Sequence, residues 1–368
     1  MTPSDLHVGL LAADLTHKHG WAHYSLSLIQ ALRRVGVRVT VIAARNSPPI
    51  DGIDVLPILP SVDPLEAGMI AGQFRALPRA RAALRPCHLI HAMIEPYAPL
   101  AAVIAGRRPL VITGHGSYVL AAQRRRFPIR LIFGRAYRRA RMVCVSRYTA
   151  RALEAALPGI ETTVVNNGVD FERFAGIEHV GSGGILAVGA VKARKGIVEL
   201  VRAMARLREH FPDARCTIVG SLTQEPDYVA HVRDEIDRLK LRDRVTLTGR
   251  IPDDELMRQY AAADVFALPS LNIGWKFEGY GLALLEASAA GLPVIGTTNC
   301  GAEDAVISGT TGLLVPQTDL ENGLADAVAR LLSDPDLAAR LGAAGRAHAR
   351  EQTWDSVAAE MIGVYKSV

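Results

Sequence analysis

The chain has 368 residues, 49% of them hydrophobic and 21% charged, with a formal net charge of +5. Single cores rarely grow beyond about 250–300 residues, so this length implies two domains, and the composition is that of an ordinary globular protein. No run approaches the roughly 18 apolar residues of a membrane span, no basic-then-apolar leader opens the chain, and Cys87, Cys144, Cys216 and Cys300 lack metal or redox spacing, so they read as reduced, buried small hydrophobes of a cytoplasmic protein.

From the N-terminus, short apolar runs alternate with stretches of helical period. Residues 7–12 read as a strand, 24–35 as a helix, and 39–43, 88–93, 110–113, 142–146 and 163–166 as further strands. Within the segment 113–118, glycines on either side expose His115 at the end of a strand, where an α/β sheet places its ligands. A lone histidine otherwise packs or meets solvent. Further on, Arg124, Arg125, Arg126, Arg130, Arg135, Arg138, Arg139 and Arg141 are interleaved with Phe127, Ile129, Leu131, Ile132 and Phe133. Such a basic, partly amphipathic stretch suits anionic lipid headgroups or a phosphorylated acceptor, and a solvated helix face suits it equally. Nucleic acid is not expected as a partner, because no binding motif surrounds the arginines and only 5% of the chain is aromatic.

A polar, Gly-containing stretch at 172–184 precedes a second set of alternating elements: 185–188, 198–211, 216–220, 229–239, 245–248, 253–262, 265–269, 282–290 and 294–296. Two such sets predict α/β architecture with parallel sheets in two Rossmann-like domains, 1–172 and 173–350, with the active site in the cleft they form. An amphipathic tail at 351–368 carries Trp354 and Tyr365 as packing residues. The loop 188–196 follows the first strand of the second set and opens a helix. Its Gly189, Lys192, Arg194 and Lys195 suit an anionic ligand, since full charges add to the partial charge of a helix end. Most informative is the segment 277–296, where Glu278 and Glu286 bracket the turn Gly279-Tyr280-Gly281-Leu282, which opens a Leu/Ala-rich helix that stops at Gly291-Leu292-Pro293. Free N–H groups at the helix start can receive a diphosphate, and a carboxylate one turn in can accept hydrogen bonds from two sugar hydroxyls. That is the layout of a nucleotide-sugar site.

These residues resemble the E-x7-E signature of the large retaining glycosyltransferase family of GT-B fold (glycosyl transferases group 1, family 4-like). The resemblance covers nearly the whole chain, strongest over 185–315 and thinnest before residue 110. It implies a metal-independent hexosyltransferase with no cofactor beyond its co-substrate, a UDP- or GDP-sugar, acting on a glycan or glycolipid acceptor in envelope or polysaccharide assembly at the inner face of a membrane. It also implies roles. Glu278 would serve the transferred sugar, Glu286 the ribose, Lys195 the diphosphate, and His115 the sugar's position. Retention is attributed to front-face attack, in which the leaving phosphate takes the acceptor's proton. The family's phosphate arginine falls on Ala190, so Lys192 or Arg194 would supply that cation. Of the paired-glycine loop near the N-terminus only Gly20 remains, with Trp21 and His23 standing there for acceptor stacking or for helix packing. Residues 299–304 would close the ribose and base side, and the C-terminal helix would cross back onto the first domain. A nucleotide-sugar epimerase or hydrolase, and a non-catalytic binding relative, are the alternatives.

Overall fold

A computed structural model describes residues 2–16, 18–62, 68–121, 123–125, 127–180 and 183–368. The chain divides into two compact units, one running through Asn167 and resuming at Trp354–Val368, the other spanning Gly168–Thr353.

Among the described residues the first unit has seven parallel strands: β1 (His7–Ala12), β2 (Arg38–Ala44), β3 (Val55–Leu59), β4 (Leu89–Ala92), β5 (Leu110–Gly114), β6 (Arg141–Cys144) and β7 (Thr162–Val164). Their order is β3-β2-β1-β4-β5-β6-β7. Every residue of β1 and β4 is buried. Strands covered on both faces read as near-continuous apolar runs, which is why the sequence shows no alternation there, and the polar members of the two, His7 and His91, are buried with the rest. The chain order reverses between β1 and β4, and that is where such a sheet opens a ligand crevice at its carboxyl edge. The helix expected from residue 24 begins at Gly20 and runs to Arg34. His19 caps it, its Nδ1 accepting the Ala22 N–H at 3.3 Å. Helix Trp354–Lys366 belongs to this unit: Trp354 and Tyr365 are buried, and Asp355 pairs with Arg34 at 2.7 Å. Edge strand β3 and helix Met69–Ala83 have no counterpart in the alternation read from the sequence. Each carries a proline, Pro57 and Pro78, which a strand tolerates mainly at an edge and a helix only at a cost.

The second unit has six described parallel strands: β8 (Gly184–Val188), β9 (Arg215–Val219), β10 (Val245–Gly249), β11 (Ala263–Ala267), β12 (Val294–Thr297) and β13 (Gly312–Val315), in the order β10-β9-β8-β11-β12-β13. Here the reversal lies between β8 and β11. Its core joins Leu200, Val201 and Met204 of helix Ile197–Leu207 to Leu324 and Val328 of helix Leu320–Ser333 across Ile218, Val265 and Ile295. All four cysteines are free and buried.

Candidate functional site

In the second unit the crevice between β8 and β11 gathers most of the residues singled out above. After β8 the chain forms the basic loop 189–196, and after β11 it forms the turn that opens helix Leu282–Ala289. Gly196 joins the two. It has φ +64°, and a Cβ there would lie 2.0 Å from the Pro269 carbonyl oxygen, so only glycine lets the loop press against the end of β11. The Leu271 N–H donates to the Arg194 carbonyl at 2.8 Å, and the Ala193 N–H to Glu225 at 2.8 Å, fixing the loop from both sides. Gly281, at φ +89°, ends the turn and starts the helix with no side-chain cap, and the Leu284 N–H donates to the Gly281 carbonyl at 2.8 Å. The Gly301 N–H donates to the Glu278 carbonyl at 2.8 Å, which attaches the segment 299–304 to the same turn.

Three donors converge on one carboxylate oxygen. Lys195 Nζ lies 2.5 Å, Arg194 Nη1 2.9 Å and Ser270 Oγ 3.1 Å from Glu278 Oε2. Burial pushes the Glu278 carboxyl up, but Lys195 and then Arg194 outweigh it and hold the group well below the usual carboxylate range. Burial likewise draws Lys195 below its ordinary value while Glu278 pulls the other way. The cluster is thus two cations on one anion, a net positive charge at the start of a helix whose dipole adds to it. Of the two cations open for the position at Ala190, Arg194 is the one on Glu278, and Lys192 stands within electrostatic reach of Lys195.

Glu286 has other neighbours. Burial raises its pKa, and the charge of Arg173 and the Tyr260 hydroxyl draw it back. Arg173 is engaged with Asp253 and lies over the Phe174 ring, so the second glutamate faces the helices Phe171–Ala175 and Asp253–Ala262 rather than the lysine loop. Tyr280 and Phe277 are buried.

The first unit places His115 just past β5. Its Nε2–H donates to the Met93 carbonyl at 2.8 Å, its backbone N–H donates to Glu95 Oε1 at 2.5 Å, and its ring meets Tyr24 edge-on at 4.5 Å. Burial lowers the ring's pKa to about 4, so it is neutral at pH 7. Beneath it runs a buried chain of hydrogen bonds: Tyr365 hydroxyl to His91 Nδ1 at 2.8 Å, His91 Nε2 to Thr113 at 2.8 Å, and Thr113 to the Tyr24 hydroxyl at 3.1 Å. After β1, His19 Nε2 pairs with buried Asp14 at 2.5 Å. The space beside Gly20 is open. Trp21 is buried against Tyr118, ring centroids 4.2 Å apart, and His23 packs toward Trp354 at 5.8 Å, so both rings take part in packing. Sequence reasoning passed over Asp14, His19 and Glu95. Asp14 and Glu95 are polar residues just beyond an apolar strand run, and His19 is the cap of the helix that follows, and those positions were the available signal.

Helix Ile129–Arg139 buries Phe133, Ala136 and Tyr137 and exposes Arg130, Leu131, Arg135, Arg138 and Arg139. Arg138 and Arg139 donate to backbone carbonyls of Pro158, Gly106 and Arg108, and Phe127 is 80% exposed. Arg126 lies outside the described residues. Among the described residues no helix is long and apolar enough to cross a membrane, and no three His, Cys, Asp or Glu side chains converge as metal ligands would.

Two family profiles together match residues 19–348: Glycosyltransferase Family 4 over residues 19–173 and Glycosyl transferases group 1 over residues 170–348. The chain belongs to the group 1, family 4-like glycosyltransferases. It is 36% identical over 216 residues to the GDP-mannose-dependent alpha-(1-6)-phosphatidylinositol monomannoside mannosyltransferase of Mycolicibacterium smegmatis, covering 55% of each chain. To the glycogen synthase of Mycobacterium tuberculosis it is 32% identical over 229 residues, 61% of this chain and 53% of that one. It therefore spans about half the length of the curated relatives it matches. Among solved structures it is similar to the sucrose-phosphate synthase of Thermosynechococcus elongatus, with a TM-score of 0.81 over 98% of both chains at 24% identity. The likeness establishes the GT-B fold for the chain's two parallel-sheet units.

Proposed function

We propose that this member of the family transfers a hexose from a nucleoside-diphosphate sugar to a glycan or glycolipid, with retention of anomeric configuration and without a metal ion. The observation that carries the reading is the convergence of Lys195 and Arg194 on Glu278 at the glycine turn that opens helix Leu282–Ala289. A diphosphate brings the negative charge that this net-positive corner lacks, and N–H groups of the helix start add to its coordination. Fixed cations then stabilise the departing phosphate, the task a metal performs in other transferases. The anomeric carbon–phosphate oxygen bond breaks, the carbon–acceptor oxygen bond forms on the same face, and the acceptor's proton passes to the leaving phosphate.

In this reading Gly189, Lys192, Gly279, Tyr280, Gly281 and Leu282 line the donor, Glu286 takes the ribose hydroxyls, and Glu278 and His115 serve the sugar. Gly20 stands on the acceptor side, with Trp21 and His23 shaping the wall behind it. The GDP-mannose named for the mycobacterial relative makes GDP-mannose the first donor to test and a lipid-borne acceptor the first class to supply. Exposed Phe127 among Arg124, Arg125 and Arg130 supports peripheral attachment to an anionic bilayer on the cytoplasmic side.

The test is product analysis with labelled GDP-mannose and UDP-glucose, with and without a glycolipid acceptor and with EDTA. A retained glycoside formed only when acceptor is present, and insensitive to EDTA, is expected. Free sugar or an epimer formed without acceptor would replace the reading with a hydrolase or epimerase.

A further inference from the structure

The first unit holds a buried carboxyl group that the reading above leaves without a task. Glu95 follows β4 and is 2% exposed. Its Oε1 accepts the His115 N–H, while Oε2 is buried with no hydrogen-bond partner. The turn that carries it is pinned by Gln73, whose Nε2 donates to the Pro96 carbonyl at 2.8 Å, and by the Tyr97 hydroxyl, which donates to the Pro60 carbonyl at 2.7 Å.

The ionisable groups around Glu95 are the Tyr24 hydroxyl of helix Gly20–Arg34, the Tyr137 hydroxyl of helix Ile129–Arg139, the Cys144 thiol at the end of β6, and His115. Among the described residues none of these groups is a lysine or arginine. Burial accordingly pushes the carboxyl up to about 8, with the His115 N–H drawing it back.

The sheet explains why His115 needs a clamp. Gly114 is the last residue of β5, so the next N–H has left the ladder and requires an acceptor of its own. Glu95 provides it. Two residues earlier in the same stretch, the Met93 carbonyl accepts from the imidazole. A carbonyl can only accept, so the proton sits on Nε2 and the neutral ring leaves Nδ1 as an acceptor. Residues 93–95 therefore grip His115 at both its ring and its backbone.

We propose that Glu95 is a positioning residue: it clamps the His115 backbone so that ring Nδ1 is presented as a hydrogen-bond acceptor to a hydroxyl of the bound sugar. The inference rests on the transferase reading for the identity of the ligand and adds the polarity of the contact. A group that meets Nδ1 must donate, so a hydroxyl fits, and its deoxy or fluoro analogue does not.

The experiment combines His-selective 15N NMR with kinetics on wild type, Glu95→Gln and Glu95→Ala. In wild type the His115 amide should titrate with the carboxyl, near about 8, and the ring should remain the Nε2–H tautomer. Glu95→Gln keeps an acceptor oxygen, so it should abolish the titration, preserve the tautomer and hold kcat within about threefold, whereas Glu95→Ala should mix the tautomers and lower kcat at least about tenfold with donor Kd unchanged. A His115 ring and a kcat that are both indifferent to Glu95→Ala would overturn the proposal, as would a Glu95→Gln enzyme as impaired as the alanine variant. If the wild-type protein transfers no sugar, the transferase reading falls, and the ring tautomer in the two variants still decides the clamp.

Discussion

Replacing Lys195 by alanine removes one of the two cations on Glu278 and leaves the other in place. The carboxylate keeps Arg194 at 2.9 Å and Ser270 at 3.1 Å, so it is not stranded, and the stability cost should stay below the ~3–5 kcal/mol of breaking a buried pair outright. The effect on catalysis is expected to be larger than that residual cost suggests. A charge fixed at the end of the Gly196 loop, braced by Glu225 and by the Leu271 N–H, needs no reorganisation when negative charge moves onto the leaving diphosphate. Losing one preorganised donor of this kind costs ~2–4 kcal/mol of barrier, or about 30- to 900-fold in kcat. Initial rates at saturating donor and acceptor, measured beside a melting curve, separate the two effects. Lys195→Arg should fall between wild type and alanine, since it keeps the charge and loses the geometry. An alanine variant that folds and turns over within about threefold of wild type would refute the reasoning and move the phosphate cation to Arg194 or Lys192.

Glu286→Ala is expected to weaken donor binding by about 10- to 150-fold, the worth of one charged hydrogen bond at roughly 1.5–3 kcal/mol, with the melting temperature little changed; calorimetry with an unchanged donor Kd would take Glu286 out of the site. Glu278→Gln should reduce turnover more than nucleotide affinity, and the reverse pattern in the same assay would exchange the two roles. Vesicle sedimentation should show preference for anionic over neutral lipid, lost as salt rises and weakened by Arg130→Glu with Arg135→Glu, at about 1 kcal/mol for each basic group near the surface; equal binding to both lipids would leave the arginines a solvated face. The folded-state value of Glu95, about 8, lies above its ordinary 4.5, so the native state holds a proton that the unfolded chain has lost, and the stability this gives is full at acid pH and lost as pH rises through about 8. The melting temperature of Glu95→Gln relative to wild type should therefore climb from pH 5 to pH 8, and an offset independent of pH would show the carboxyl to be unshifted.

The fold was legible wherever burial made the chain repetitive. β1, β4 and β12 are covered on both faces, and their mostly apolar runs announced them, with His7, His91 and Thr297 as the polar members. Legibility failed where local chemistry contradicts the element formed. Pro57 sits in β3, and only the edge position of that strand makes its missing N–H harmless. Helix Gly20–Arg34 opens on a glycine, a weak helix former, and its cap is a histidine, so its first turn carries no local helix signal. No periodicity marks such a start.

Within the candidate site, what could be read were residues close in sequence, and what could not were their partners. The spacing of Glu278 and Glu286 on either side of a helix start is a local fact. That Lys195 and Arg194 reach Glu278 from 83 and 84 residues away depends on β8 and β11 being neighbours at the sheet's reversal point. The same dependence gives two buried glutamates opposite characters. Glu278 and Glu95 both follow a parallel strand beside the reversal of their own sheet, and both are nearly inaccessible. The neighbouring loop brings two cations to Glu278 and keeps it ionised, so it can take part in an electrostatic site for an anion. Among the described residues, those that meet Glu95 are backbone N–H groups, the His115 ring and three neutral acids, and burial favours its protonated form. A carboxyl in that state is unsuited to organising phosphate-binding cations and well suited to holding a loop in place. Identical residues at equivalent places in two sheets are thus held in different charge states by the charge of the adjacent loop, a property that strand order sets and that residue type alone does not reveal.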